Sequence, residues 1–256
     1  GEVFNFLELK DILKEKGYIF KTNSDTEIIL ASYQEWGKKC LNKFNGMWSI
    51  AIWDEKEKEL FIARDRFGEK PLYYFKKKNK FFFASELKAF IKLNVSNQPK
   101  IDDSRILWSS LPSKSTFLEN VYNLEPGSYL TLRKNITKIE RWWDINQNIS
   151  PKSETNYLEN CEKFSDLFKD ACKIRMRSDV PFASAVSGGL DSSAVFSAIY
   201  EILRSGDTKD RILQNNYTPF FLRYLNSKND ESDYVKKLVD NKSVNPEVVE
   251  IDTNDI

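Results

Sequence analysis

The stretch Ser187-Gly188-Gly189-Leu190-Asp191-Ser192-Ser193 holds the only adjacent glycine pair in the chain and follows the apolar run Val180 to Val186. The spacing around it predicts a buried strand, a tight turn and a helix. Glycines lack a Cβ, so backbone N–H groups can turn toward an anion. The helix N-terminus adds partial positive charge and serine hydroxyls add donors. On context alone two readings stand: a phosphate cradle in which Asp191 can hold a divalent cation, or a close strand-to-helix turn whose serines cap the helix. The string lacks the lysine of a Walker A loop and the third glycine of a dinucleotide fingerprint.

After residue 156 the chain alternates helix and strand. A helix carries Leu158, Cys161, Phe164, Leu167, Phe168, Ala171 and Ile174 on one face; beyond the loop come a helix, the strand Pro219 to Tyr224, a helix near Asp230 to Asp240 and the strand Val248 to Ile251. Such alternation implies a parallel sheet. Ile145 to Asn156 is polar, contains Pro151 and has no periodicity, which reads as a linker.

Before the linker the pattern differs. Phe6, Leu9 and Leu13 predict a helix stopped by Gly17; Ser24 and Glu27 form a capping-box signature for a second helix that stops at Gly37. Then come short apolar runs, Met47 to Trp53, Leu60 to Ala63, Leu72 to Phe75 and Phe81 to Ala84, parted by charged turns. They read as antiparallel hairpins. A mixed region from Asn94 to Glu125 leads to a last hairpin, Tyr129 to Leu132 and Ile139 to Trp143, opened by Pro126-Gly127.

The 256 residues, at roughly 150 per domain, suggest about 1.7 domains. With 41% hydrophobic and 30% charged residues the chain is globular rather than disordered, and 39 basic against 38 acidic residues give no global field for polyanions. Nucleic acid is therefore not an expected partner. Histidine is absent, which removes Ser-His-Asp and Cys-His arrangements and histidine-ligated zinc. Cys40, Cys161 and Cys172 show no CxxC spacing and read as reduced thiols. No apolar run approaches the roughly twenty residues of a membrane span, so no membrane association and a cytoplasmic location are expected. Met47 and Met176 are the only methionines, so Gly1 reads as an internal position of a processed or partial chain.

SGGLDSS resembles the PP-loop of the ATP pyrophosphatase superfamily, and with Arg177-Ser178-Asp179-Val180-Pro181 before it the likeness narrows to the synthetase half of glutamine-dependent asparagine synthetases. Gly1 to Leu9, Thr22 to Glu27, Leu41 to Trp48, Ala63 to Tyr74, Phe83 to Ala89, Leu124 to Gly127 and Trp142-Trp143-Asp144 appear in the order found in the class II glutamine amidotransferase domain of the same family. The resemblance implies an α+β Ntn-hydrolase αββα sandwich in residues 1–144, a linker at 145–156, and an α/β parallel-sheet PP-loop domain of the adenine nucleotide alpha hydrolase type in 157–256.

It also implies residue roles. Gly1 and Glu2 match the end of the family's Asn-Gly-Glu motif, where the glycine N–H faces the oxyanion and the glutamate region contacts glutamine. Asp25 matches the carboxylate that pairs with the substrate ammonium; outside the motif it reads as a first-turn helix acid. Ser187, Gly188, Gly189, Asp191, Ser192 and Ser193 would bind pyrophosphate, with Mg2+ on Asp191, and the backbones of Val186 and Leu222 would meet the adenine of ATP. Asp230-Glu231-Ser232 reads first as a helix N-cap. Arg64 to Leu72 reads as a hairpin element of the core rather than a phosphate site, and Trp142-Trp143 as packing at the domain junction rather than a base-stacking platform.

The chain departs from the family at both ends. The nucleophilic N-terminal cysteine, the oxyanion asparagine and the carboxylate-binding arginine are expected before Gly1, none of the three cysteines matches, and this stretch alone is expected to be inactive. Arg223 stands where the family strand has a small glycine, beside the adenine. The activity implied is glutamine-dependent, ATP-driven amidation of L-aspartate through β-aspartyl-AMP, with L-glutamine, L-aspartate and ATP as partners, Mg2+ as cofactor and a homodimer compatible with it. The alternatives are a relative with another acceptor, in polysaccharide or β-lactam synthesis, and a non-catalytic ATP-binding protein.

Overall fold

A computed structural model describes residues 1–94, 114–147, 149, 156–206, 217–225, 227–228, 230–240, 242 and 244–252. The backbone divides into two compact units, Gly1–Pro151 and Lys152–Ile256. Most of the region read as mixed, 95–113, and much of the polar stretch at 145–156 lie outside the described residues.

The first unit begins with β1 (Glu2–Val3), α1 (Phe6–Glu15) and α2 (Asp25–Trp36), followed by a 3₁₀ turn (Gly37–Lys43) and β2 (Gly46–Met47). β3 (Ser49–Asp54), β4 (Glu59–Arg64), β8 (Ser128–Arg133) and β9 (Ile136–Arg141) form one antiparallel sheet in the order β3-β4-β8-β9. β5 (Tyr73–Lys77), β6 (Lys80–Ala84) and β7 (Val121–Asn123) form another, ordered β6-β5-β7, backed by α3 (Leu87–Lys92).

Alternation along β4 organises the layers, because successive strand residues point to opposite faces. Phe61 and Ala63 pack with Leu9 and Leu13 of α1 and Ile28 and Ile29 of α2. Ile62 turns the other way and meets Leu130, Leu72 and Leu124, with Tyr74 and Phe81 of the second sheet beside them. The far face of that second sheet, Phe75 and Val121, closes on Phe90 of α3 and on Leu118. The order is helix, sheet, sheet, helix, which is the αββα sandwich.

One local expectation changes. Ser24 is the N-cap of α2 and accepts from Thr26 N at 3.2 Å, but Glu27 does not return to Ser24. Its carboxylate takes Thr22 N at 2.8 Å and Lys21 N at 3.0 Å, because the chain before the cap folds back over the helix end and offers those amides first. Trp142 and Trp143 make their ring contacts within the first unit. Trp142 stacks on Trp48 at 5.7 Å and donates from Nε1 to Arg64 O at 3.2 Å, while Trp143 meets Phe67 edge-on at 5.1 Å. Both are built into the first unit.

The second unit contains α4 (Tyr157–Arg175), β10 (Phe182–Val186), α5 (Leu190–Ser205), β11 (Tyr217–Leu225), α6 (Ser232–Val239) and β12 (Glu247–Asp252). The three strands are parallel in the order β10-β11-β12, with Val186 opposite Phe221 and Leu222 opposite Val249. One sheet face is covered: Val186 and Phe221 pack with Phe196 of α5 and Val235 of α6. Phe220, Leu222 and Val249 on the other face remain exposed, whereas parallel sheets are ordinarily covered on both faces. The apolar stripe of α4 is likewise mostly exposed at Leu158, Phe164 and Leu167, and only Ile174 of the helix is buried.

Candidate nucleotide and glutamine sites

The loop between β10 and α5 is shaped by its own serines. Ser192 Oγ accepts from Ser187 N at 3.1 Å and lies 2.7 Å from Ser187 Oγ; Gly189 N donates to Ser187 Oγ at 3.2 Å, and Ser193 Oγ donates to Ser187 O at 3.3 Å. These bonds tie the strand end to the first turn of α5. Gly189 is the N-cap in extended conformation, and among the described residues no side chain caps the helix, so there the N–H groups of Leu190 and Asp191 are left for an outside acceptor. Asp191 stands exposed in that turn.

Gly188 is required by a close approach rather than by an unusual backbone angle. A Cβ there would lie 2.7 Å from Tyr234 Cβ, in the first turn of α6. Its N–H donates to Glu231 Oε2 at 3.2 Å. Of Asp230-Glu231-Ser232, expected from the sequence to cap α6, only Asp230 does so: its Oδ1 accepts from Ser232 N at 3.1 Å. Nothing local to α6 marks Glu231 and Tyr234 as neighbours of this loop, which lies 43 residues before Glu231.

Val186 is buried at the end of β10, and Leu222 lies one residue beyond its register partner on the opposite, exposed face. Arg223 is held aside: its NH1 donates to Glu250 at 3.0 Å and its Nε reaches Asp230 at 3.5 Å. Hydrogen bonds from Ser232 first, and then Arg223, keep the Asp230 carboxyl below its ordinary value. Among the described residues no group of three or more Cys, Asp or Glu is placed to hold a metal ion.

In the first unit β1 pairs with β2, Glu2 opposite Met47 and Val3 opposite Gly46. Gly1 presses on this pair so closely that a Cβ would lie 2.7 Å from Met47 O and Trp48 Cα. Asp25 opens α2 with its carboxylate on the same strand, Oδ2 accepting Val3 N at 2.9 Å. Gly1, Glu2 and Asp25 are therefore brought to one corner of the unit. Burial pushes the Cys40 thiol up to about 12 and raises that of Cys172.

Arg64 is a structural hub. Its Nε donates to Lys70 O at 2.7 Å, NH1 to Leu124 O at 2.7 Å and Asn123 Oδ1 at 2.9 Å, and NH2 to Gly68 O at 2.7 Å. All its nitrogens face protein acceptors, which leaves no fork for a phosphate.

The family described as glutamine amidotransferase domain matches residues 1–143, and the one described as asparagine synthase matches residues 163–256. The chain belongs to the glutamine-hydrolysing asparagine synthetase family. It is 36% identical over 200 residues to asparagine synthetase [glutamine-hydrolyzing] 3 of Bacillus subtilis, covering 76% of this chain and 32% of the relative. A chain of Methanocaldococcus jannaschii, provisionally designated asparagine synthetase [glutamine-hydrolyzing] 2, is 34% identical over 247 residues, covering 94% and 45%. Amidase chry2 of Gibberella zeae is 32% identical over 208 residues, covering 80% and 31%. The chain thus spans from under a third to under half of the length of these asparagine synthetase relatives.

Proposed function

We propose that this chain is the glutamine-binding and nucleotide-binding part of an asparagine synthetase, whose whole reaction is glutamine-dependent, ATP-driven amidation of L-aspartate through β-aspartyl-AMP. The observation that carries the reading is the joint presence of the two units, each with its own corner: the Asp25 carboxylate seated on β1 beside Gly1 and Glu2, and an uncapped helix N-terminus behind the serine-braced loop.

Gly1 N–H faces the oxyanion formed as glutamine is hydrolysed, the Glu2 region contacts glutamine and Asp25 pairs with its ammonium group. Ser187, Gly188, Gly189, Ser192 and Ser193 shape the pyrophosphate cradle, which the α5 N-terminus polarises. The backbones of Val186 and Leu222 flank the adenine. Mg2+ fits this donor set as an ion held by Asp191 plus phosphate oxygens and water, since magnesium usually takes one or two carboxylates with substrate phosphates. When bound it neutralises charge on the polyphosphate.

The test is pyrophosphate release by the polypeptide expressed from the gene encoding this chain, given ATP and glutamine with and without L-aspartate. Release that requires aspartate and yields asparagine supports the reading; release without aspartate, or none, sinks it. The similarity to amidase chry2 favours one second reading, in which the same two units serve another acceptor. Release that requires a different carboxylate in the same assay would establish it.

A further inference from the structure

Gly188 sits at the turn of the proposed cradle, and its amide is taken by a carboxylate of the chain itself. Glu231 Oε2 accepts Gly188 N–H at 3.2 Å. Glu231 is the N-cap residue of α6 yet makes no side-chain cap there; Asp230 accepts Ser232 N at 3.1 Å instead. Relieved of capping, the Glu231 side chain extends across to the loop. One turn further on, Tyr234 packs so closely on Gly188 that a Cβ would fall 2.7 Å from its own, and Tyr234 N bonds Glu231 O at 3.0 Å. The first turn of α6 therefore holds the loop at two points, one apolar and one anionic.

A carboxylate oxygen and a phosphate oxygen are alike as anionic acceptors, and one N–H cannot serve both well. Two anions brought to the same donor also repel unless a cation lies between them. We infer that Glu231 is a built-in competitor for the phosphate cradle, an autoinhibitory contact that a polyphosphate must displace to engage Gly188. The inference rests on the nucleotide-binding reading of the loop. Nothing in it depends on the identity of the acceptor.

The direct test titrates pyrophosphate, and separately ATP, into the full chain and into Glu231→Gln by calorimetry at low salt without magnesium. Glutamine keeps the shape and an acceptor oxygen but removes the charge. The variant is expected to bind both ligands roughly three- to tenfold more tightly, an advantage that shrinks as salt is added. The Gly188 amide resonance gives a second readout independent of affinity. It should shift on the substitution alone, and pyrophosphate should move it in both proteins toward a common position.

If the wild type binds but the variant binds equally or more weakly, Glu231 is no competitor and the inference falls while the nucleotide reading stands. If neither protein binds pyrophosphate or ATP, the nucleotide reading fails and takes the inference with it. If the variant is poorly folded, Glu231→Ala, which removes both the contact and the charge, decides by the same titration. Unchanged or weaker binding in it overturns the proposal.

Discussion

Asp25 Oδ2 holds the backbone N–H of Val3 at 2.9 Å across 22 residues of sequence, so the carboxylate assigned to the glutamine ammonium also fastens the strand bearing Gly1 and Glu2. Fastening the strand and the proposed recognition of glutamine fall to one side chain there. The two roles separate by substitution. Asp25→Ala leaves the buried Val3 amide without its acceptor and should cost about 1–2 kcal/mol in urea unfolding, with faster hydrogen exchange at Val3. Asp25→Asn keeps an acceptor oxygen, so stability should hold near wild type while glutamine hydrolysis by the gene product drops sharply.

The Arg64 hub supplies a test of structural against anion-binding use. Lysine concentrates its donors at one point and cannot span Gly68, Lys70, Asn123 and Leu124 together. Arg64→Lys should destabilise the first unit by about 2–4 kcal/mol in urea unfolding and leave pyrophosphate binding at the Ser187 to Ser193 loop unchanged. Lost phosphate affinity in a folded variant would contradict the assignment.

The glycine pair should respond unequally. Gly188→Ala places a methyl 2.7 Å from Tyr234 Cβ, and overpacking of this kind costs about 1–3 kcal/mol in thermal unfolding of the second unit. Tyr234→Ala should rescue it only in part, because it removes Cγ at 3.0 Å and Cδ2 at 3.1 Å but retains the Cβ at 2.7 Å. Gly189→Ala should be mild, since only Ser187 Oγ lies near, at 3.3 Å, and its φ is −73°.

Thiol labelling should rank the cysteines by burial. Cys161 is exposed, Cys172 is half-buried with its thiol pushed up by burial, and Cys40 is buried with its thiol pushed up to about 12. Ellman's reagent at neutral pH should therefore modify Cys161 first and Cys40 only after unfolding, because the thiolate is the reactive form. Equal rates at Cys40 and Cys161 in the native protein would show that the 3₁₀ turn opens readily.

Acid should act on the N-terminus of α2. The amides of Lys21 and Thr22 and the Thr22 hydroxyl, Lys21 contributing most, hold the Glu27 carboxyl below its ordinary 4.5. A depressed carboxyl stabilises the fold above its unfolded pKa and loses that contribution as pH falls through the folded value. Glu27→Gln should therefore lower the urea midpoint at neutral pH, with the gap to wild type closing below 4.5. A gap independent of pH would mean that the geometry, not the charge, carries the effect.

The hairpins of the first unit and the alternating strands and helices of the second were legible locally, because side-chain period follows from backbone geometry within a single element. The period of two along β4 already contained both faces of a layered fold, Phe61 and Ala63 against Ile62. The loop at Ser187 was legible as strand, turn and helix for the same reason. Asp25 was not: an acid in a helix's first turn is common, and only the resemblance singled it out before the structure set it on Val3.

What the sequence by itself determined is the element types, the two-part organisation and the glycine turn that opens α5. Partner choice belonged to the tertiary structure. Glu27 passes over its own helix cap for Lys21 and Thr22, Arg64 finds Leu124 at a separation of 60 residues, and Glu231 reaches Gly188 at 43. The physical reason is one of range. Periodicity records which face of an element is apolar, whereas a long polar side chain bonds whichever unsatisfied donor or acceptor packing delivers to it, and the delivery is decided only when the layers close.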